Sequence, residues 1–328
     1  MKPREIVLNV ILALGILASP LTGHAQQAGK VPRIGFLGPT SEAGIRPRLE
    51  AFRQGLRDLG YVGGENLVIE FRWAEGQYDR LPALAGELVG LKVDLLVTYG
   101  TPGTQAAKRA TTTIPIVMVV SGDAVAAGLI SSLARPGGNV TGSTFISPEV
   151  TAKRLELLKE AFPRLRRVAV LLNPENPANP PILHAMELTA ASLKVALQRF
   201  EVRGPSEFES AFTAMAKRRV DAVVITDDPM LIANLGELAA LAVKSRLPSM
   251  GFKEFAQAGG LMAYAVNLPE LFRHAAVFVD KILKGAKPAD LPVERAMRFE
   301  LVINLKTAKA LGLTIPRSFL SRADEVIQ

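Results

Sequence analysis

Short β-branched runs alternate with longer stretches of helical periodicity from Arg33 onward, and the alternation starts afresh after residue 165. The first round predicts strands at Arg33–Leu37, Leu67–Phe71, Asp94–Thr98, Ile114–Val119 and Asn139–Thr144. Helices are predicted between them at Glu42–Leu59, Arg80–Leu91, Pro102–Ala110 and Val125–Leu133. The second round predicts strands at Arg167–Leu172, Leu197–Val202, Ala222–Thr226, Pro248–Gly251 and Leu261–Tyr264. Strands that alternate with helices imply parallel βαβ units with both sheet faces covered. A chain of 328 residues also exceeds the size at which one core keeps growing. Two α/β lobes follow.

An internal echo points the same way. Val93-Asp94 opens a strand that runs into Gly100-Thr101-Pro102, and Val220-Asp221 opens one that runs into Asp227-Asp228-Pro229 at the same spacing. Arg33-Ile34-Gly35-Phe36-Leu37 before Pro39 is matched by Arg167-Val168-Ala169-Val170-Leu171-Leu172 before Pro174. The matches come in the same order in both halves, which predicts two lobes of similar topology.

Composition narrows the chemistry. Lys2 and Arg4, the apolar Ile6–Leu17 and the small-residue Gly23-His24-Ala25 form the three parts of a secretory signal, too short in its apolar core to span a bilayer. Residues 1–25 are therefore expected to be removed on export, with the mature protein in the periplasm. There is no cysteine, which excludes a disulfide framework, thiol catalysis and thiolate metal sites. The net charge of +8 is spread along the chain in pieces such as Arg164–Arg167 and Lys217–Arg219, without the aromatic clustering of nucleic-acid binders. No nucleic-acid partner is expected. Beyond His24, the histidines are His184 and His274, far apart in the chain, so no metal site is expected. No Gly-x-Ser-x-Gly turn, phosphate loop or dinucleotide glycine pattern occurs, and the adjacent Asp227-Asp228 pair sits badly for acid–base work. The reading is of a protein that is not an enzyme and takes no cofactor.

Ligands of open parallel sheets bind beyond the carboxyl ends of the strands, where helix N-termini converge. In the first half that rule selects Gly38–Ser41, Tyr99–Gln105 and Ser121–Asp123, and in the second Asn173–Asn176, Thr226–Pro229 and Gly251–Glu254. Thr101 fits an N-cap and Pro102 the first helical position, which would aim the Gly103–Gln105 amides and the Thr101 and Thr104 hydroxyls at a carboxylate. Thr40, Ser41 and Ser121 add hydroxyls on that side. Asp123, Glu175, Asp227 and Asp228 supply acceptors for an ammonium group, Asn173 and Asn176 supply amides, and Tyr99, Phe252 and Tyr264 an apolar wall. Asp228 before Pro229 also fits a helix N-cap. A small carboxylate-bearing compound, an amino acid or a close relative, is the expected ligand.

The chain resembles the ABC-transporter substrate-binding proteins whose better-known branch binds tryptophan and other aromatic amino acids. The resemblance is carried by Arg72-Trp73-Ala74-Glu75-Gly76, Gly100-Thr101-Pro102, Thr113-Ile114-Pro115-Ile116 and the long Leu133-Ala134-Arg135-Pro136-Gly137-Gly138-Asn139-Val140-Thr141-Gly142. Asn173-Pro174, Ala258-Gly259-Gly260-Leu261-Met262-Ala263-Tyr264 and Phe299–Ala308 extend it over the whole mature chain. Two positions depart from the family pattern: Ala124 follows Asp123 where proline is common, and Ala265 follows Tyr264 where glycine is common. The resemblance implies a type I periplasmic-binding fold, two Rossmann-like lobes with parallel sheets joined by a hinge. It places residues 26–145 and 267–287 in the first lobe and 146–266 and 288–328 in the second. It implies a monomer that captures a small molecule and delivers it to an ABC permease in the cytoplasmic membrane; a ligand-sensing input to a membrane receptor is the alternative.

Overall fold

The computed structural model describes residues 31–328, so the expected signal segment 1–25 lies outside the described residues. Thirteen strands form two sheets among these residues. The first half supplies β1 (Arg33–Gly38), β2 (Val68–Trp73), β3 (Leu95–Thr98), β4 (Ile116–Gly122) and β5 (Val140–Phe145). The second supplies β6 (Arg167–Leu172), β7 (Ala196–Glu201), β8 (Ala222–Ile225), β9 (Ser249–Gly251) and β10 (Met262–Ala265). Each of the ten expected strands is present, within a residue or two at most ends. Three more follow near the C-terminus: β11 (Glu294–Arg295), β12 (Glu300–Asn304) and β13 (Glu325–Ile327).

The sheet orders are β11-β5-β4-β3-β1-β2 and β13-β12-β10-β9-β8-β6-β7. Reading β6 to β10 for β1 to β5, the two sheets share one topology. The echoed aspartates show what the repeat does. Asp94 Oδ2 accepts from the Arg33 amide at 2.7 Å, and Asp221 Oδ2 accepts from the Arg166 and Arg167 amides at 2.8 Å. In each half the carboxylate at the start of one strand pins the start of its neighbour, where the ladder has not yet begun. All pairings are parallel except β10 with β12.

Helices cover both faces. In the first lobe these are α1 (Glu42–Asp58), α2 (Leu81–Gly90), α3 (Gly100–Ala110), and, after an excursion through the second lobe, α10 (Leu268–Leu283). The second lobe carries α4 (Ser147–Ala161), α5 (Asn179–Ser192), α6 (Phe208–Lys217), α7 (Pro229–Ala233), α8 (Leu235–Lys244), α9 (Lys253–Gln257), α11 (Leu305–Ala310) and α12 (Arg317–Leu320). Helix α10 lies along α1 so closely that a Cβ at Gly55 would stand 2.3 Å from the Arg273 carbonyl oxygen.

Two expectations are corrected here. Val125–Leu133 is not a helix: one turn closes through Ala127 N to Asp123 O at 2.9 Å, and Gly128 then takes φ +66° and ends it. Apolar Leu129 and Ile130 are buried, which explains the periodicity without a helix. The last passage between lobes also comes later than residue 288. Pro288–Asp290 stays against β5, and β11 pairs with β5 in the first sheet, so the chain joins the second sheet only at β12. The other two passages run from β5 to α4 and from β10 to α10. No helix among the described residues is long and apolar enough to cross a membrane.

Candidate functional site

The carboxyl ends of β3, β4 and β8 face one another across the lobes and enclose a cavity. Its wall includes Arg48, Tyr99, Gly100, Thr101, Ser121 and Phe272 from the first lobe, and Asp227, Pro229, Ile232 and Phe252 from the second. Phe145 and Leu268 line it from two of the three passages between lobes. The space inside that is open to the centre of a water molecule is ≈ 40 Å³, far below the ~300–1,000 Å³ of small-molecule pockets. An amino acid does not fit this space as it stands, so binding one requires the walls to move apart.

The first-lobe side is built by the start of α3. Gly100 takes φ +72°, a conformation that favours glycine, and so turns the chain from β3 into the helix within a single residue. Thr101 then falls inside the first turn and is not the N-cap that the sequence suggested; Tyr99 holds the cap position without a side-chain bond. The amides left without an intrahelical partner shift accordingly, to Gly100 and Thr101. Both residues line the cavity, and the Thr101 hydroxyl lies 3.1 Å from that of Ser121. Partial positive charge at a helix start, with two hydroxyls beside it, suits a carboxylate.

The second-lobe side carries a carboxylate of its own. Asp227 Oδ1 accepts from Arg154 Nη1 at 2.7 Å, and Oδ2 from the Ser147 hydroxyl at 2.5 Å and that of Thr151 at 3.3 Å. Its side chain is 2% exposed. Aromatic rings close the remaining wall, with Tyr99 and Phe272 at 5.5 Å between centroids.

Of the residues singled out from sequence, Tyr99, Thr101, Ser121, Asp227 and Phe252 meet at this cavity. The others do not line it, each for a local reason. Thr40 backs Tyr99, hydroxyl to hydroxyl at 2.6 Å, and Ser41 caps α1 through the Gly44 amide. Gly103 packs α3 onto the strand ends, where a Cβ would stand 2.4 Å from the Thr98 hydroxyl, and Thr104 bonds the Gly100 carbonyl. Asp123 caps its own turn at the Ala126 amide. Asn173 accepts from the Glu175 amide, Glu175 is exposed beside Arg203, and Tyr264 stacks on Phe299. Sequence reasoning missed Arg48, Ile232, Leu268 and Phe272. They sit on helices of ordinary composition, and only the folding of α1, α7 and α10 over the cleft brings them to it.

Asp228 and Asn176 do not line the cavity; with Tyr78 they form a latch between the lobes. Asp228 Oδ1 caps α7 through the Met230 amide at 2.9 Å and the Leu231 amide at 3.2 Å. Its Oδ2 accepts from Asn176 Nδ2 at 2.9 Å and from the Tyr78 hydroxyl, in the other lobe, at 3.0 Å. Arg48 adds a second tie, 3.4 Å from Glu254 and donating to the Ile232 carbonyl at 3.3 Å. Burial pushes the Asp228 carboxyl up to about 6, against hydrogen bonds that favour the charged form. Parting the lobes returns water, and relief of burial, the largest cause, lowers that value by more than loss of the Tyr78 hydrogen bond raises it. Closure thus takes up protons: it is favoured as the pH falls through about 6, and the cost of burying the ionised carboxylate is fully felt above it. Ligand titrations should therefore read several-fold tighter at pH 5 than at pH 7.5, and Asp228→Asn should flatten the difference; tighter binding at the higher pH contradicts the latch.

Residues 34–327 match the family model for ABC transporter substrate binding proteins. The tyrosine-binding protein of Clostridioides difficile is 27% identical over 322 residues, covering 94% of this chain and 92% of its own. A conserved domain protein from Vibrio cholerae superposes with a TM-score of 0.83 at 28% identity, over 90% of this chain and 100% of that one. An ABC domain from Streptococcus pneumoniae in complex with L-Trp gives 0.82 at 28% identity, over 91% and 100%. The topology is that of type I periplasmic binding proteins. The match spans both lobes and every strand from β1 to β13: the chain belongs to the ABC transporter substrate-binding protein family.

Proposed function

We propose that this protein captures an amino acid outside the cytoplasmic membrane and hands it to an ABC permease. One observation carries the ligand class: the cavity sets the free amides and hydroxyls at the start of α3 against the Asp227 carboxylate, with aromatic rings between. A zwitterion matches both poles. Its carboxylate meets Gly100, Thr101 and Ser121, its ammonium meets Asp227, and its side chain packs among Tyr99, Phe145, Phe252 and Phe272. Those rings favour an aromatic or large apolar side chain. Relatives described as binding tyrosine and as a complex with L-Trp support the same class. Export rests on the N-terminal signal read from the sequence, and delivery to a permease on family membership. Closure by hinge bending would present the two lobes together to that permease.

Clefts of this kind retain ligand through purification when dissociation requires opening. Native mass spectrometry of protein purified without refolding should show an added mass equal to a free amino acid. A retained sugar or nucleoside overturns this reading.

A further inference from the structure

Arg154, on α4, is the largest wholly buried side chain among the described residues, at 0% exposure. A buried ion pair seldom stabilises a fold more than apolar packing of the same volume would, and its Nη2 has no hydrogen-bond acceptor. Stability alone is therefore a poor account of this residue. Its contacts have a different logic. Nε donates to the Tyr264 carbonyl at 2.8 Å, and Nη1 donates to the Ile225 carbonyl at 3.1 Å and to Asp227 at 2.7 Å. The guanidinium carbon lies 4.8 Å above the Phe252 ring.

These partners fall into two groups. Asp227 and Phe252 are cavity wall. Tyr264 stands one residue before the end of β10, where the chain returns to the first lobe. On the other oxygen of Asp227 sits Ser147, the first residue of α4, just after the chain has left β5. Ser147 also abuts the first lobe, since a Cβ at Gly122 would stand 2.8 Å from the Ser147 Cβ. One guanidinium–carboxylate pair thus joins the cavity wall to two of the three passages between the lobes. The other charged groups near the cavity are committed elsewhere: Asp228 to Tyr78 and Asn176, and Arg48 to Glu254.

We propose that Arg154 is a positioning residue for ligand capture, fixing the Asp227 carboxylate and the Phe252 ring in the cavity wall and tying both to two of the three passages between the lobes. The ligand's contact with Asp227 rests on the amino-acid reading above, whereas the tie to the hinge stands on geometry alone. Arg154 itself does not line the cavity. It acts through Asp227 and Phe252, so that filling the cavity and setting the angle between lobes are one event.

The test uses the full mature chain with L-tryptophan and L-tyrosine as probes, and Arg154→Met, Arg154→Lys and Ser147→Ala. Affinity is titrated, and amide hydrogen exchange is followed over 145–151 and 264–268 with no amino acid added. Arg154→Met should weaken binding by at least 30-fold and raise exchange in both segments by tenfold or more. Arg154→Lys should recover most of the affinity, because an ammonium still meets Asp227. It should not recover protection at 264–268, because an ammonium in the place of Nη1 supplies no second nitrogen, in the place of Nε, for the Tyr264 carbonyl. Ser147→Ala should raise exchange over 145–151 alone. A purely structural arginine predicts exchange raised throughout the second lobe, with affinity and protection rescued together or not at all; that pattern overturns the proposal. If Arg154→Met does not fold, the Lys and Ala variants decide by the same pattern. If the parent binds neither amino acid, the amino-acid reading fails, and segment-specific exchange still decides the tie to the hinge.

Discussion

Replacing Gly44 with leucine is expected to weaken ligand binding by roughly 10- to 100-fold while leaving the fold as stable as the parent or more so. Gly44 lies in the first turn of α1, and a Cβ there would stand 2.8 Å from the Ala233 Cβ in the opposite lobe. The clash exists only when the lobes meet. Overpacking of this kind costs about 1–3 kcal/mol, and here the cost falls on closure. Within α1 itself the change replaces a helix glycine and contributes about 0.5–1 kcal/mol of stability. Gly100 is a poorer wedge. Its Cβ would stand 2.5 Å from Pro229, but its φ of +72° would strain any replacement in either arrangement. A thermal melt and a ligand titration on the same Gly44→Leu protein test the point: opposite signs are expected, and unchanged affinity would refute closure across this contact.

The largest loss is expected from Asp227→Ala. Removing one partner of a buried ion pair leaves the other charge uncompensated, at a cost of about 3–5 kcal/mol. Arg154 is 0% exposed, and its remaining hydrogen bonds go to the Tyr264 and Ile225 carbonyls, not to a second carboxylate. The melting temperature should fall by roughly 10 °C, taking about 2–4 °C per kcal/mol for a chain of this size. Binding should fall further than stability alone explains. An aromatic side chain burying ~200 Å² contributes on the order of 5 kcal/mol, whereas micromolar affinity needs about 8 kcal/mol net of ordering costs. Polar anchors supply the difference, so loss of the ammonium's partner should weaken binding by roughly 100-fold. Titration below the melting transition separates the two effects; parental affinity in a folded Asp227→Ala protein would remove Asp227 from the site.

What the sequence disclosed follows the range of each interaction. Strands were legible because a buried parallel strand is a local run of β-branched residues, and the Val93-Asp94 and Val220-Asp221 echo marked the duplicated topology. The carboxyl ends of those strands then pointed to Tyr99, Thr101, Ser121, Asp227 and Phe252 without further help. Errors arose where a local signal had two solutions. Thr101-Pro102 reads as cap and first turn, but Gly100 turns the chain earlier and moves the free amides. Val125–Leu133 reads as a helix, but its Leu129 and Ile130 are buried in an irregular segment. Short strand β11 carries no periodicity, so the last passage was placed too early. Tyr78 with Asp228, and Arg48 with Glu254, depend on lobes coming together from distant parts of the chain. Arg154 carries the weakest signal: on a helix of ordinary composition, an arginine reads as solvated.

A free amino acid is the proposed occupant of the cavity between these lobes. Calorimetric titration of the full mature chain with L-tryptophan, L-tyrosine, L-leucine, a nucleoside and a monosaccharide tests it directly. Saturable one-to-one binding of at least one amino acid in the micromolar range or tighter, with a negative heat-capacity change from apolar burial and no heat from the sugar or nucleoside, is the predicted result. Binding of the sugar or nucleoside with none of the amino acids would contradict it.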